Sequence, residues 1–267
     1  MQSESNLELY KAIKKSLSSR YMVYATNLLS MMMLARIFTP ETYGTVAAIM
    51  VFFVFFQLMA EVGLGPAIIN LNRLSSEDRD GLFGLTLTIG LLLAIVFYSL
   101  SSIFLSFYQL SRIDEIVPYI AISVIFFSAS IVPNALLLRD QEFYKLAYAG
   151  LSSEVLSTVV TIVLAKTIDP LHALAAKGAF SSGVLFVVSM YYSGKSSFGR
   201  PKFGNKFTAI VPHFSFSGYQ FGFNFINYFS RNLDNILVGK FMGATALGNY
   251  DKAYQLMKYP LFSLLLL

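Results

Sequence analysis

Residues 81–111 read GLFGLTLTIGLLLAIVFYSLSSIFLSFYQLS, a run without a single Asp, Glu, Lys or Arg. A helix needs about 20 mostly apolar residues to cross the roughly 30 Å hydrocarbon core of a bilayer. This run exceeds that length, and others resemble it. Residues 42–60, 116–138 and 178–194 are also uncharged, 21–35 is apolar and extends back through Leu17, and 146–165 is interrupted only by Glu154. Residues 207–230 carry no charge beyond what His213 takes on when protonated. An eighth run starts near Ala253 and reaches Leu264-Leu265-Leu266-Leu267. The spacing predicts an all-α multi-pass membrane protein with seven complete spans and an incomplete eighth. It reads as a fragment of a longer protein, cut short at its C-terminus.

Composition points the same way. Of 267 residues, 55% are hydrophobic and 13% charged, whereas a soluble protein carries about 25% charge. Phe occurs 25 times and Tyr 16 times, and the mean hydropathy is +0.61. So little charge cannot cover a soluble surface, which excludes a soluble enzyme, a nucleic-acid-binding domain and a disordered regulator. Cysteine is absent, so these residues hold no disulfide framework, zinc–thiolate site or thiol nucleophile. No His/Asp/Ser constellation, metal-ligand spacing or long catalytic loop appears, and no cofactor is expected.

The net charge of +5 reports orientation in such a chain. Lys11, Lys14, Lys15, Arg20, Arg73, Arg79, Arg139, Lys145, Lys195, Arg200, Lys202 and Lys206 fall on one side of the predicted spans, and Arg36, Arg112, Lys166, Lys177 and Lys240 on the other. The richer side is cytoplasmic by the positive-inside rule, which places the N-terminus inside. The first span follows basic residues as a signal peptide does, but no small-x-small cleavage site follows it, so it reads as uncleaved. Thr39-Pro40-Glu41 offers a cap, a first-turn proline and an acid for the helix dipole. Ser75-x-x-Asp78 resembles a capping box. Gly65-Pro66 is expected to break the chain at the membrane surface, and His172 to lie in an external loop.

Sliding the chain on itself by 204 residues lays the first span over the seventh. Tyr24 falls on Tyr228, Leu29 on Leu233, Arg36 on Lys240 and Gly44 on Gly248. The offset covers six spans, an even number, so the repeats share one orientation in the membrane, an arrangement of transporters with substrate between the halves. The domain reading is a six-helix N-terminal lobe over 1–194, a cytoplasmic linker over 195–206 and the start of a second lobe over 207–267.

The seventh span carries a polar stripe. His213, Ser217, Gln220, Asn224, Asn227, Arg231 and Asp234 are spaced by alternating fours and threes, which holds them on one helix face. Polar groups facing lipid are costly, so the stripe faces protein or water. Interhelical hydrogen bonding with Arg231 and Asp234 neutralising one another is one account. A water-filled cavity for a polar substrate is the other, and a stripe of full membrane depth favours it. Ser16, Arg20, Asn27 and Ser30 on the first span form a weaker version. Glu61, one turn after Gln57, either lines the cavity or ends the second span at its cytoplasmic side, and Glu154 slightly inside the fifth span is either an interfacial acid or a proton or cation site; both are candidates for ion coupling.

Three stretches carry a family resemblance: Ala35-Arg36-Ile37-Phe38-Thr39-Pro40-Glu41-Thr42-Tyr43-Gly44, Glu61-Val62-Gly63-Leu64-Gly65-Pro66-Ala67 and Ser230-Arg231-Asn232-Leu233-Asp234-Asn235, the last continuing through Gly239-Lys240 to Leu247-Gly248-Asn249-Tyr250. They resemble the Wzx-like polysaccharide flippases of the superfamily that includes MATE drug exporters. Relatives often have Asp where Glu61 stands, and most of their second half has no counterpart here. The resemblance implies a polyprenyl-pyrophosphate-linked oligosaccharide moved between leaflets of the cytoplasmic membrane by alternating access, driven by protons or sodium, for O-antigen, capsule or exopolysaccharide. Membrane lipids and other polysaccharide-assembly membrane proteins are the implied partners. Arg231, Arg20, Arg36 and Lys240 are then candidates for the pyrophosphate, with Asp234 beside Arg231, and Gln220, Asn224 and Asn227 for the glycan. A MATE-type cation exporter should instead favour acidic, aromatic cavity walls, and a glycan-modifying membrane enzyme should show catalytic residues in sizeable external loops.

Overall fold

The computed structural model describes residues 2–61, 64–71, 73–110, 112–206 and 214–264, with the side chains of 2–14, 70, 214–221 and 258–264 outside that description. The elements in chain order are α1 (Gln2–Leu34), α2 (Pro40–Glu61), α3 (Leu64–Asn70), α4 (Ser76–Ser99), α5 (Ser101–Tyr108), α6 (Ile113–Arg139), α7 (Phe143–Leu164), α8 (Pro170–Ser193) and α9 (Phe214–Leu264). The fold is all-α and multi-pass. By length and composition, 40–69, 76–99, 113–139, 143–164 and 170–193 are apolar enough to cross a membrane. α1 and α9 are the two longest helices, at 33 and 51 residues.

The local start signals act as expected. α2 begins at Pro40, with the Thr39 hydroxyl accepting the Thr42 N–H at 3.3 Å. Ser75 caps α4 by accepting the Asp78 N–H at 3.1 Å, and its own hydroxyl donates to the Asp78 carboxylate at 2.6 Å. Three expectations need correction. Gly65-Pro66 does not end a helix but sits in the first turn of α3, where the missing proline N–H has no intrahelical partner to lose. The uncharged run 81–111 is split at Leu100 into α4 and α5, where Ser99 turns its hydroxyl back onto the Ile95 carbonyl. His172 belongs to the first turn of α8, not a loop, and its ring meets Glu115 at 3.0 Å.

α6 is the central helix. Of its apolar stretch 72% is buried, against 28–44% in the other four, and it packs on α8, α4, α2 and α3. Lipid tails are as apolar as leucine, so close contact between membrane helices depends on small residues and hydrogen bonds. α6 supplies both. Ser128 lies where a side chain on Gly90 of α4 would collide, and Ser123 sits against Gly178 of α8. Ser189 of α8 donates to the Asn134 side chain of α6 at 2.6 Å.

The segment after α8 is not a free tether. Ser197 hydrogen-bonds Asp140 through both its N–H and its hydroxyl, at 2.8 and 2.6 Å, and the Lys202 N–H reaches Asp80 at 2.9 Å. Arg79 donates to the Phe198 carbonyl, and Arg139 stacks on the Phe198 ring. Its end lies flat on α4, where Gly81 and Gly84 leave room for the carbonyls of Lys206 and Gly204.

α9 is two helices in one. Gly243, at φ 82° and ψ −179°, breaks the helical path, 204 residues after Thr39, the residue that caps α2. The helix start at Pro40 therefore recurs at Ala244, which gives the sequence repeat a structural counterpart.

Candidate functional site

A cavity of about 590 Å³ lies among α1, α2, α6, α7, α8 and the second half of α9. Two charged groups of residues line it. On one wall, Lys177 of α8 straddles the carboxylate of Glu154 of α7, at 2.9 and 3.0 Å from its two oxygens. The Thr158 hydroxyl donates to the same carboxylate at 3.3 Å, and Ser153, next to Glu154, meets Ser181, one turn after Lys177, at 2.8 Å. The ion-paired side chains are only 17% and 21% exposed. On the other wall, the Lys252 ammonium sits 4.0 Å from the centre of the Tyr43 ring and 4.0 Å from Asp251. Gln255 donates to Asp251 at 2.7 Å and accepts from Lys252 at 3.4 Å. Lys252 and Lys177 line the same cavity. The amides of Asn27 and Gln57 and the hydroxyl of Ser182 complete the polar lining.

Charge at this depth persists only when paired or wet. Here each ammonium has a carboxylate beside it, so the cavity balances its own charge. An anion entering it competes with Glu154 for Lys177 and with Asp251 for Lys252. The arrangement suits reversible binding of a charged group together with a polar body that takes hydrogen bonds from amides and hydroxyls.

The residues singled out from sequence divide between this cavity and other surfaces. Asn27 and Glu154 line it, as does Gln57. Arg20, Arg36, Asn227 and Arg231 are exposed, and Asn224 is partly so. Among the described residues Arg231 and Asp234 form no ion pair. Asp234 instead accepts from the Tyr250 hydroxyl at 2.6 Å and from the Asn235 N–H at 2.8 Å. Lys240 donates to the Phe107 carbonyl and lies over that residue's ring. Glu61 ends α2, partly buried. His213 and the side chains of Ser217 and Gln220 fall outside the described residues.

Away from the cavity, Arg112 bridges Glu115 and Asp169, at 3.0 and 3.1 Å, where α6 and α8 begin. Its guanidinium holds the Asp169 carboxyl below the usual carboxylate range. Asp169 also caps α8, accepting the Leu171 N–H at 2.9 Å.

The family model for a polysaccharide biosynthesis protein matches residues 33–265, from the last turn of α1 through α9. The chain belongs to the polysaccharide biosynthesis protein family. This family member is 26% identical over 214 residues to the teichuronic acid biosynthesis protein TuaB of Bacillus subtilis (strain 168), covering 79% of the chain and 43% of TuaB. It is 24% identical to an uncharacterized membrane protein in the cps region of Klebsiella pneumoniae, over 95% of the chain and 52% of that protein. It is 20% identical to the lipopolysaccharide biosynthesis protein WzxC of Escherichia coli (strain K12), over 92% and 50%. The family member thus spans about half the length of these relatives. Its fold is similar to that of a eukaryotic MATE transporter, AtDTX14, with a TM-score of 0.58 at 15% identity over 88% of this chain and 57% of that one.

Sequence reading of this family member missed Lys177, Asp251 and Lys252. It located spans by uncharged windows, which set Lys177 in an outer loop and began the eighth span at Ala253. Both lysines lie well inside helices, Lys177 in α8 and Lys252 in α9. The detectable signal was Glu154, an acid in the middle of an apolar helix that required a basic partner.

Proposed function

We propose that this chain belongs to a flippase that moves a polyprenyl-pyrophosphate-linked oligosaccharide across the cytoplasmic membrane for surface polysaccharide assembly, by alternating access. The observation that carries the reading is the pair of cavity lysines, Lys177 and Lys252, in a protein of a polysaccharide biosynthesis family. Ammonium groups bind phosphate oxygens as point charges, and the neighbouring amides of Asn27, Gln57 and Gln255 suit a glycan. The wider reading keeps the N-terminus in the cytoplasm, 1–194 as one lobe, 195–206 as the connection and 207–267 as the start of the other. Asn27 lines the cavity and Arg231 stands 204 residues on, so the repeat supports Arg231 as the equivalent group on the second half, beside Asn224, Asn227 and Gln220. Arg20, Arg36 and Lys240 mark the path to either surface. Glu154 and Glu61 are the proposed sites for a coupling proton or sodium ion.

The test replaces the gene at its chromosomal locus and measures surface polysaccharide at matched membrane abundance. The neutralised set Glu154→Gln, Lys177→Gln and Lys252→Gln keeps no cavity lysine and leaves no carboxylate opposite a missing partner at Lys177. It should abolish polysaccharide. Arg231→Ala should nearly abolish it, and Arg231→Lys, which keeps charge but loses the bidentate fork, should retain part. Normal polysaccharide from the neutralised set would refute the flippase site.

A second reading has its own support. The cavity also holds Glu154, Asp251 and the rings of Tyr43, Phe53 and Phe127, a wall that suits an organic cation, on a MATE fold. Loss of drug resistance with intact polysaccharide would decide for it.

A further inference from the structure

Where α2 meets the second half of α9, the contact is reciprocal. A side chain on Gly44 would strike the Ala244 carbonyl oxygen, and one on Gly248 would strike the Pro40 carbonyl oxygen and the Gly44 nitrogen. Pro40 and Ala244 are 204 residues apart, as are Gly44 and Gly248. Each contact is therefore the image of the other, as at a two-fold interface where residue i meets j and j meets i. Two helix starts cross backbone to backbone where Gly44 and Gly248 place no side chain between them.

The side chains next to the crossing break that symmetry. One half is apolar, with Ala48 and Leu247 buried in the same cluster. Their equivalents in the other half are Lys252 and Tyr43, and there the ammonium rests on the ring. Tyr43 is 8% exposed, lines the cavity, and its hydroxyl has no hydrogen-bond partner among the described residues. Leaving a buried hydroxyl without a partner is costly, so it points to a ligand that accepts from it.

We propose that the Gly44–Gly248 crossing is a gate closing one end of the cavity, and that the Tyr43 hydroxyl and Lys252 together form a phosphate-oxygen subsite that controls it. An anion that accepts from Tyr43 draws Lys252 off the ring, loosens the polar half of the crossing and lets α2 and α9 part. The inference rests on the transporter reading, because it takes an anionic head as the occupant. Asymmetry is what makes the device directional: the apolar half holds the helices together, and the polar half releases them only when the cavity is loaded.

The experiment uses the full-length protein in nanodiscs with cysteines at Glu41 and Thr245, exposed positions 204 residues apart that flank the crossing, and with no other cysteine. A short bis-maleimide bridges them when the gate is closed. Inorganic pyrophosphate is the probe, with binding measured separately by equilibrium dialysis and sulfate as an anion control. Saturating pyrophosphate should slow bridging about tenfold, the result expected when an anion that prefers the open state about a hundredfold moves the closed-to-open ratio from about 10:1 to about 1:10. Tyr43→Phe keeps the ring and removes the donor, and should weaken pyrophosphate binding about tenfold without changing bridging in its absence. Tyr43→Leu should slow bridging with no pyrophosphate present. Lys252→Arg should restore the response that Lys252→Gln loses. Pyrophosphate binding with unchanged bridging would overturn the gate and leave the transporter reading intact. No binding at all would overturn both, and an equal response to sulfate would overturn the phosphate subsite.

Discussion

Replacing Lys177 by Met removes the ammonium and leaves the Glu154 carboxylate alone in a cavity wall. Breaking a fully buried pair costs about 3–5 kcal/mol, and an exposed pair is worth about 0–1 kcal/mol. The Glu154 and Lys177 side chains are 17% and 21% exposed, and both carboxylate oxygens are engaged at 2.9 and 3.0 Å. Lys177→Met should therefore cost about 2 kcal/mol, lowering the melting midpoint by about 4–8 °C for a domain of this size. Glu154→Gln should cost a similar amount, because it strands the ammonium. The double variant leaves no charge behind and should lose only about 1 kcal/mol instead of the additive sum of about 4, a coupling of about 3 kcal/mol in the double-mutant cycle. The assay is thermal unfolding of the purified full-length protein in detergent, followed by helical circular dichroism. Additive losses in the double variant would show that the two residues do not act as a pair, and the charge-balanced cavity would fail with them.

Further outcomes follow from other contacts. Gly81→Ala places a methyl 1.5 Å from the Lys206 carbonyl oxygen, so it should dislodge the 200–206 segment and speed tryptic cleavage at Lys202 and Lys206. Gly222→Ala meets nothing within 4 Å and should leave the digest unchanged. Arg112 holds the folded-state Asp169 carboxyl below its usual value. Its contribution is therefore complete above the ordinary Asp pKa of about 3.9, and is lost as pH falls through the lowered folded value. Asp169→Asn keeps an acceptor for the cap, so its melting deficit should be present at neutral pH and vanish in strong acid. For orientation, a cysteine replacing Lys166 should react with an impermeant thiol reagent in intact cells, whereas one replacing Lys202 should react only after permeabilisation. The opposite pattern would reverse the topology.

Local and periodic features were legible in the sequence. The caps at Thr39 and Ser75 depend on hydrogen bonds within one turn, so the residues that make them are adjacent in the chain. The span pattern also depends on contiguous runs, and it placed α2, α4, α6, α7 and α8. The site was less legible, because it depends on pairs distant in sequence. A charge inside a membrane helix is tolerated when another helix neutralises it, and nothing local to Lys177 announces Glu154, 23 residues earlier. The same reasoning misplaced His172, whose partner Glu115 is 57 residues away. The stripe on α9 was seen as a wall, yet the wall of the described cavity comes from the stretch beyond Gly243. The 204-residue offset was readable, but the crossing it generates required coordinates.

The partner that α1 packs on most extensively is α7, which begins at Phe143, more than a hundred residues after α1 ends at Leu34. At about 5–20 residues per second of synthesis, the first helix waits roughly 5–20 s in the membrane before that surface exists. α2 waits longer for α9. Throughout that interval the face of α1 that meets α7 has no partner to cover it. Insertion of this protein should therefore depend on the first helix persisting at the bilayer, without its main packing partner, while the rest is made. Slowing translation between residues 34 and 143 should increase degradation of the nascent chain more than the same pause placed after residue 164.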